Sequence, residues 1–472
     1  MNWSRIPKCL SILCLSATLL PLAAWSEEIS QDPEVYIYGY QIPKKVLDDP
    51  VDLFVTKPLK DTIPREIWNQ IVFDKDKMKK GTAEMLGFTA TDLVGKIAPE
   101  IKPGKYTYKS LEEYPGLKGL FPPLFAQHVI KPGGPPLVCN IPEFEIIPTR
   151  QFYWFVPLIE ATKRNLGKTK LDKDGYIDPW SWEGGVPFPQ PSGKFKAQQV
   201  LYNFERRSIK FEDCWGFTNE NHSHNKNLEL DTLKKVQVGQ MRFKGRTLFS
   251  PYGWYDKRAK RNNEWAAYGY TILEPRNLRA TGILRFRYDD PDKMDPAMIY
   301  LPNFRRVRKM SGTDTQDPTG DMIYDDQTMF MQKITPKKYP YEYEIIEERE
   351  YLQAVSYNSM PTWVDSKNGY ALRDVQFTRR PCYVFQMTQL DPNYTYSKRI
   401  YYIDKESFHC MNAEYYNQKG QYPECGMVVP YGGYQIQRDH LDQHSTFGYS
   451  WHTPADWPRT RFAINYLVKR GK

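Results

Sequence analysis

The chain has 472 residues, enough to bury a large core in one domain or two. Its formal charge of +9 is interspersed with 56 acidic residues, which excludes the concentrated basic field of a nucleic-acid-binding protein and leaves only a weak attraction to anionic lipid head groups. Tyrosine (34), phenylalanine (23) and tryptophan (12) are plentiful and proline (37) outnumbers glycine (29), a balance that suits a globular protein of sheets joined by rigid loops.

Residues 1–26 read as a secretory signal peptide. Arg5 and Lys8 make a short basic start, the stretch from Cys9 to Ala24 is apolar but short for a membrane span, and Ala24 and Ser26 place small residues before a cut ahead of Glu27. That layout predicts export and a periplasmic location. Residues 27–57 are acidic and look extended, and 58–170 read as short helices broken by proline and glycine. Pro122-Pro123 opens one helix that ends at Lys131-Pro132-Gly133-Gly134. A longer one is predicted from Arg150 to Leu166, kinked or divided at Pro157. Gly184-Gly185-Val186-Pro187-Phe188-Pro189-Gln190-Pro191 cannot be regular structure. Ser192 then stands as the cap of a helix whose stripe Ala197, Val200, Leu201, Phe204 has helical spacing.

From about residue 233 the period changes to two. Leu284, Phe286 and Tyr288 share one strand face and Arg285 and Arg287 the other; Tyr341, Tyr343 and Ile345 alternate with Glu342 and Glu344; Tyr383, Phe385 and Met387 alternate with Val384, Gln386 and Thr388. Ile400-Tyr401-Tyr402-Ile403 ends at an Asp404-Lys405 turn that leads into Phe408-His409-Cys410-Met411. The expected fold is mainly β (α+β), an antiparallel meander covered by helices. Its expected organisation is a signal peptide (1–26), an extended and helical region packed on the sheet (27–180) and an antiparallel β domain with covering helices (181–472). Apolar strand faces can line a cavity. Leu284, Phe286, Tyr288, Tyr383, Phe385 and Met387 are the candidate residues for binding a hydrophobic cargo, and ordinary core packing is the competing account.

Catalytic signatures are missing from the sequence: there is no His-Glu-x-x-His, Cys-x-x-Cys, phosphate loop or dinucleotide fingerprint, and Gly448-Tyr449-Ser450-Trp451-His452 lacks the second glycine of a nucleophile elbow. No enzyme activity and no cofactor are therefore expected. His440 and His444, spaced to share a helix face, are the candidates for a metal-dependent alternative, whereas His222 and His224 lie in a polar, Asn-rich stretch read as a loop. Asp172 to Asp178 reads as a plain Asp-Gly turn, because Lys170 and Ser181 stand where a calcium loop needs its end ligands. Asp314, Asp317, Asp321, Asp325 and Asp326 read as a solvated loop pairing with Arg305, Arg306 and Arg308. Of seven cysteines, Cys9 and Cys14 lie in the leader; among Cys139, Cys214, Cys382, Cys410 and Cys425, the last two flank a hairpin turn at Asn417-Gln418-Lys419-Gly420 and could meet across it, with Cys382 as a competitor and free thiols as the alternative.

Several segments, in order along the chain, resemble the domain-of-unknown-function 1329 family: Lys131 to Pro136, Asn140 to Phe144, Pro148 to Trp154, Gly184 to Pro189, Tyr300 to Arg308, Thr313 to Pro318, Gln389 to Tyr394, Ser397 to Asp404 and His444 to Phe447. The family is similar to the LolA and LolB periplasmic lipoprotein carriers. The resemblance implies a curved antiparallel sheet, part of a barrel, closed by helices over an apolar cavity. It implies a non-catalytic carrier or chaperone for lipid or acyl chains, with resistance-nodulation-division exporters or outer-membrane proteins as partners and transient membrane contact. A cargo-free scaffold docked on such a partner is the alternative.

Overall fold

Proline and glycine divide the N-terminal part of the chain into short elements. The computed structural model describes residues 75–132, 140–154, 156–206, 214–225, 230–247, 253–310, 341–355, 362–364, 371–394, 396–420, 424–431, 434–441, 444–452 and 460–467, with a strand pair at 35–37 and 40–42. The pair is β1 (Val35–Ile37) and β2 (Tyr40–Ile42), followed by α1 (Lys75–Leu86), α2 (Ala90–Leu93), β3 (Gly104–Thr107), α3 (Ser110–Glu113), α4 (Pro115–Gly119), α5 (Pro123–His128), β4 (Glu143–Ile146), α6 (Val156–Asn165) and α7 (Lys196–Arg206). The signal-peptide segment 1–26 and the acidic segment 314–326 lie outside the described residues.

The helix predicted after Pro122-Pro123 is α5, with a proline at its first position. The one predicted from Arg150 starts six residues later. Residues 150–154 have no regular structure, their backbone groups bonding instead to Arg380, Glu406 and Thr82, and Pro157 falls in the first turn of α6, where a missing N–H breaks nothing. Ser192 does not cap α7: its backbone N–H and C=O are both bound by the Gln199 side chain, and the helix begins four residues later. The predicted stripe nevertheless faces inward, with Ala197, Val200, Leu201 and Phe204 buried.

The remaining elements are β5 (Cys214–Asn225), β6 (Leu230–Arg242), α8 (Lys257–Asn262), β7 (Glu264–Glu274), β8 (Gly282–Tyr288), β9 (Ala297–Leu301), β10 (Arg306–Met310), β11 (Tyr341–Val355), β12 (Thr362–Val364), β13 (Ala371–Arg373), β14 (Val375–Gln389), β15 (Tyr396–Asp404), β16 (Cys410–Asn417), β17 (Glu424–Tyr431), β18 (Tyr434–Leu441), β19 (His444–His452) and β20 (Thr460–Leu467). Two large open sheets result, in the strand orders β10-β9-β8-β7-β6-β5-β19-β18 and β20-β17-β16-β15-β14-β4-β3. Pairing is antiparallel throughout except between β4 and β14. β14 is the hub of the second sheet. β11 lines one edge over its whole length, while β4 takes positions 375–377 and β15 positions 382–388 of the other.

The run of long strands begins at Cys214, earlier than the period-two pattern indicates. His222 and His224 lie on β5, between β6 and β19, and not in a loop. Polar residues fill both parities of that stretch, so backbone pairing on two sides, and not apolar alternation, holds it extended. His440 and His444 do not share a helix either: they sit on neighbouring antiparallel strands, with His444 opposite Leu441. The Cys410–Cys425 pairing is likewise overturned. Cys425 lies opposite Glu414, four residues along β16 from Cys410, roughly 13 Å at strand rise, and Cys382 and Cys410 are buried free thiols. At Asp172 the plain turn is present: its Oδ1 accepts from the N–H groups of Asp174 and Tyr176, and Gly175 has φ +88°.

The principal core joins the helices to the second sheet. Phe377 packs edge to face on Phe121, Phe125 and Phe144, and Phe144 on Phe121, with centroids 5.0–6.0 Å apart. The same cluster runs from Met78 through Trp154, Leu201 and Phe204 to Tyr401 and Tyr415.

Candidate functional site

The six residues proposed from sequence fall on two sheets and do not form one floor. Tyr383, Phe385 and Met387 share a face of β14 as predicted, and all three are buried in the principal core. Phe385 is stacked between Tyr343 of β11 (6.0 Å) and Tyr401 of β15 (6.5 Å), and Phe204 of α7 lies 6.2 Å from Tyr401. Protein side chains cover this face, so an apolar guest could reach it only if α7 moved.

Both ends of α7 are pinned by charge. At its start Lys196 bonds to Glu348, which also takes Lys405 at 2.7 Å, and both ammonium groups lie over the Tyr383 ring. The carboxyl group of Glu348 titrates below its usual range: burial opposes ionisation, but the two lysines outweigh it. Beside this bridge a groove of about 490 Å³ opens between α7 and β11, lined by Lys194, Lys196, Ala197, Tyr343, Ile345 and Glu348 among others. At the other end Arg206 meets Asp289 at 2.6 Å, and Asp289 also holds Lys244 at 2.6 Å. The Arg206 guanidinium lies 4.3 Å from the Trp265 ring and 5.3 Å from that of Trp182. Burial lowers the Lys244 pKa, with Asp289 opposing. Gly245, at φ +72°, lets Trp182 into this cage, since a Cβ there would meet the indole at 2.2 Å.

On the first sheet the alternation holds but the burial is inverted. Arg285 and Arg287 are 8% and 5% exposed, whereas Leu284, Phe286 and Tyr288 are half-buried. Arg287 pairs with Asp295 at 3.5 Å. Phe286 stacks on Phe243 (6.5 Å) in a small cluster under α8, with Leu284 at its margin. Register places Met298 and Tyr300 of β9 beside Leu284 and Gly282, on the same side as Phe286. Tyr268, Tyr270, Ile283 and Ile299 occupy the opposite side. All of these are half-buried.

Sequence reasoning missed the buried ionic networks that tie the N-terminal region to the second sheet. Arg380 grips Asp404 through two bonds (2.6 and 3.1 Å) and reaches Glu406 (2.8 Å) and the Arg150 carbonyl (2.8 Å). Glu406 in turn accepts from the N–H groups of Phe152 and Ala90, and the Trp154 indole donates to its carbonyl. Segment 148–154 is thus a strap: Thr149 donates to the Arg379 carbonyl, Gln151 to that of Lys79, and the Trp154 N–H to the Thr82 hydroxyl. Arg379 repeats the device, bonding Glu350 and the carbonyls of Ile97, Ala98 and Ile101. Paired Arg-Arg and Asp-x-Glu were visible as residue types, but the backbone groups they bind in the N-terminal region lie 230 to 316 positions away.

Glu414 supplies a pH test. It accepts from Leu124 N–H (3.2 Å) and the hydroxyls of Tyr402 (3.4 Å) and Tyr416 (3.0 Å). Burial, the largest influence, raises its pKa above the ordinary 4.5 despite those bonds. The folded value exceeds the unfolded one, so its contribution to stability is whole below the unfolded value and is lost as pH rises through the folded value. Glu414→Gln should flatten that part of the stability–pH curve, measured by urea midpoints from acid to neutral pH. An unchanged slope would show that Glu414 titrates normally.

The family model described as "Protein of unknown function (DUF1329)" matches residues 127–449. The chain belongs to the DUF1329 family. No curated protein matches this DUF1329 member. Among solved structures it is similar to a domain named for outer membrane lipoprotein sorting from Vibrio parahaemolyticus (14% identity, 53% of this chain and 88% of that one, TM-score 0.33). It is also similar to a DUF1329 family protein from Desulfovibrio piger (12%, 54% and 88%, TM-score 0.33) and a LolA superfamily protein from Nitrosomonas europaea (14%, 58% and 94%, TM-score 0.30).

Proposed function

We propose that this DUF1329 protein is a non-catalytic periplasmic carrier that shields an apolar molecule, an acyl chain or polycyclic lipid, against its first sheet. One observation carries the reading: Leu284, Phe286, Tyr288 and Met298 on one face of β8 and β9, and Ile283 and Ile299 on the other, are only half-buried, although α8 packs on Phe286 and the Trp182–Arg206 cage on Trp265. The second sheet, by contrast, has its corresponding face filled by protein. Leu284, Phe286 and Tyr288 are therefore the working contacts, and Tyr383, Phe385 and Met387 take part only after displacement of α7. Burial of apolar surface, at about 25 cal/mol per Å², would supply the affinity, and docking to an envelope exporter or outer-membrane partner would trigger release.

Native mass spectrometry of protein purified from its own envelope should find a lipid-sized adduct, and N-terminal sequencing should start at Glu27. Leu284→Gln with Met298→Gln should weaken a fluorescent lipid probe about tenfold or more, since each buried aliphatic side chain is worth about 1.5–3 kcal/mol. Protein that emerges empty and refuses the probe would remove the reading. The filled core beneath α7 favours a second reading, a cargo-free scaffold. A stoichiometric partner recovered with no lipid would establish it.

A further inference from the structure

The hairpin of β9 and β10 ends the first sheet, and its chemistry differs from the rest of the surface. Pro302–Phe304 forms a 3₁₀ turn that leaves the Phe304 ring 64% exposed at the tip. Arg305 follows at φ +48°, then Arg306, Val307, Arg308 and Lys309 run out along the edge strand. All five are exposed, Val307 at 48%. Four cations thus occupy five consecutive positions, and no acidic residue occurs from Ala297 to Met310. None of the four has a carboxylate partner among the described residues; the acidic segment expected to pair with Arg305, Arg306 and Arg308 lies outside them. Arg308 instead lies 5.9 Å over the Phe304 ring.

We infer that this hairpin is a docking surface for an anionic lipid bilayer. Charge selects the partner: a row of arginine and lysine with no carboxylate bonded to it among the described residues is attracted to acidic head groups, with each cation worth about 1 kcal/mol near such a surface. The exposed aromatic at the tip selects the bilayer over an acidic protein, because a ring flanked by cations enters the head-group region while the charges stay at phosphate level. Pairing with a partner's strand is the poorer account, since charged side chains along a short edge discourage strand addition. The inference stands apart from the carrier reading and is tested with no cargo present.

The experiment is co-sedimentation of the full chain with vesicles of phosphatidylethanolamine and phosphatidylglycerol, against pure phosphatidylcholine vesicles. The wild type should pellet with the anionic vesicles alone and be released as salt is raised. Arg306→Gln, Arg308→Gln and Lys309→Gln together should weaken binding about a hundredfold, at about fivefold per cation, and Phe304→Ser several-fold. Residues 1–26 are identical in every variant, so the differences report this edge. Equal binding to both vesicle types would overturn the inference, as would an undiminished triple variant with native circular dichroism. Retention on polyglutamate beads without vesicle binding would assign the surface to an acidic protein and overturn it too. If the triple variant misfolds, the salt and lipid dependence of the wild type decides alone.

Discussion

Arg380→Ala should lower the stability of the fold by about 3–5 kcal/mol, the range for removing one partner from a buried ion pair. The side chain neutralises two buried carboxylates, Asp404 and Glu406, and no other cation is bonded to either among the ion pairs described. Without it both would keep hydrogen bonds from Ser407, Ala90 and Phe152 but lose their bonded opposite charge in low dielectric. Glu406 already sits at a raised pKa through burial, with Arg380 opposing, so loss of the arginine should raise it further. The damage should spread, because Glu406 also holds the N–H groups of Ala90 and Phe152. Arg380→Lys keeps the charge but not the two-pronged grip on Asp404, and should recover only part of the loss. Urea unfolding followed by tryptophan fluorescence is the measurement. A midpoint change as small as an exposed substitution gives, about 0.5 kcal/mol, would show that the network is ornamental.

Gly185→Ala should be nearly as damaging, at about 2–5 kcal/mol. The glycine has φ +78°, and a Cβ there would meet the backbone N of Thr162 in α6 at 2.5 Å and its Cα at 2.6 Å. The left-handed conformation costs about 1–2 kcal/mol and forcing the helix away about 1–3 kcal/mol. Thr162 cannot yield cheaply: its hydroxyl bonds the Leu158 carbonyl and accepts from Val186 N–H. Gly95→Ala is the matched control, since φ is +86° but nothing lies within 4 Å. Thermal unfolding should separate the two. Equal losses would mean that backbone conformation alone, and not the close approach to α6, sets the requirement at Gly185.

Sequence periodicity located surfaces well and sides poorly. The stripe of α7 and the alternation of Tyr341, Tyr343 and Ile345 with exposed glutamates both appear in the fold, because each reports a local repeat. Alternation on β8 was also real, yet Arg285 and Arg287 are more buried than Leu284 and Phe286. A period of two says that residues differ in side, and only the neighbouring elements decide which side is covered. β5 was illegible because Asn, Glu, Ser and His occupy both parities. The Arg380 and Arg379 networks were invisible for another reason: carboxylates of Glu406 and Glu350 serve backbone groups 316 and 255 positions away.

The parallel pairing of Glu143–Ile146 with Val375–Phe377 has a consequence for biosynthesis. The segment that carries Phe121, Phe125 and Phe144 leaves the ribosome long before the strand that covers it, and contacts of such sequence separation form slowly. The early half must therefore linger with its aromatics uncovered, prone to stick to other chains. Yield in the cell should depend on holdase chaperones far more than the stability of the finished molecule would indicate.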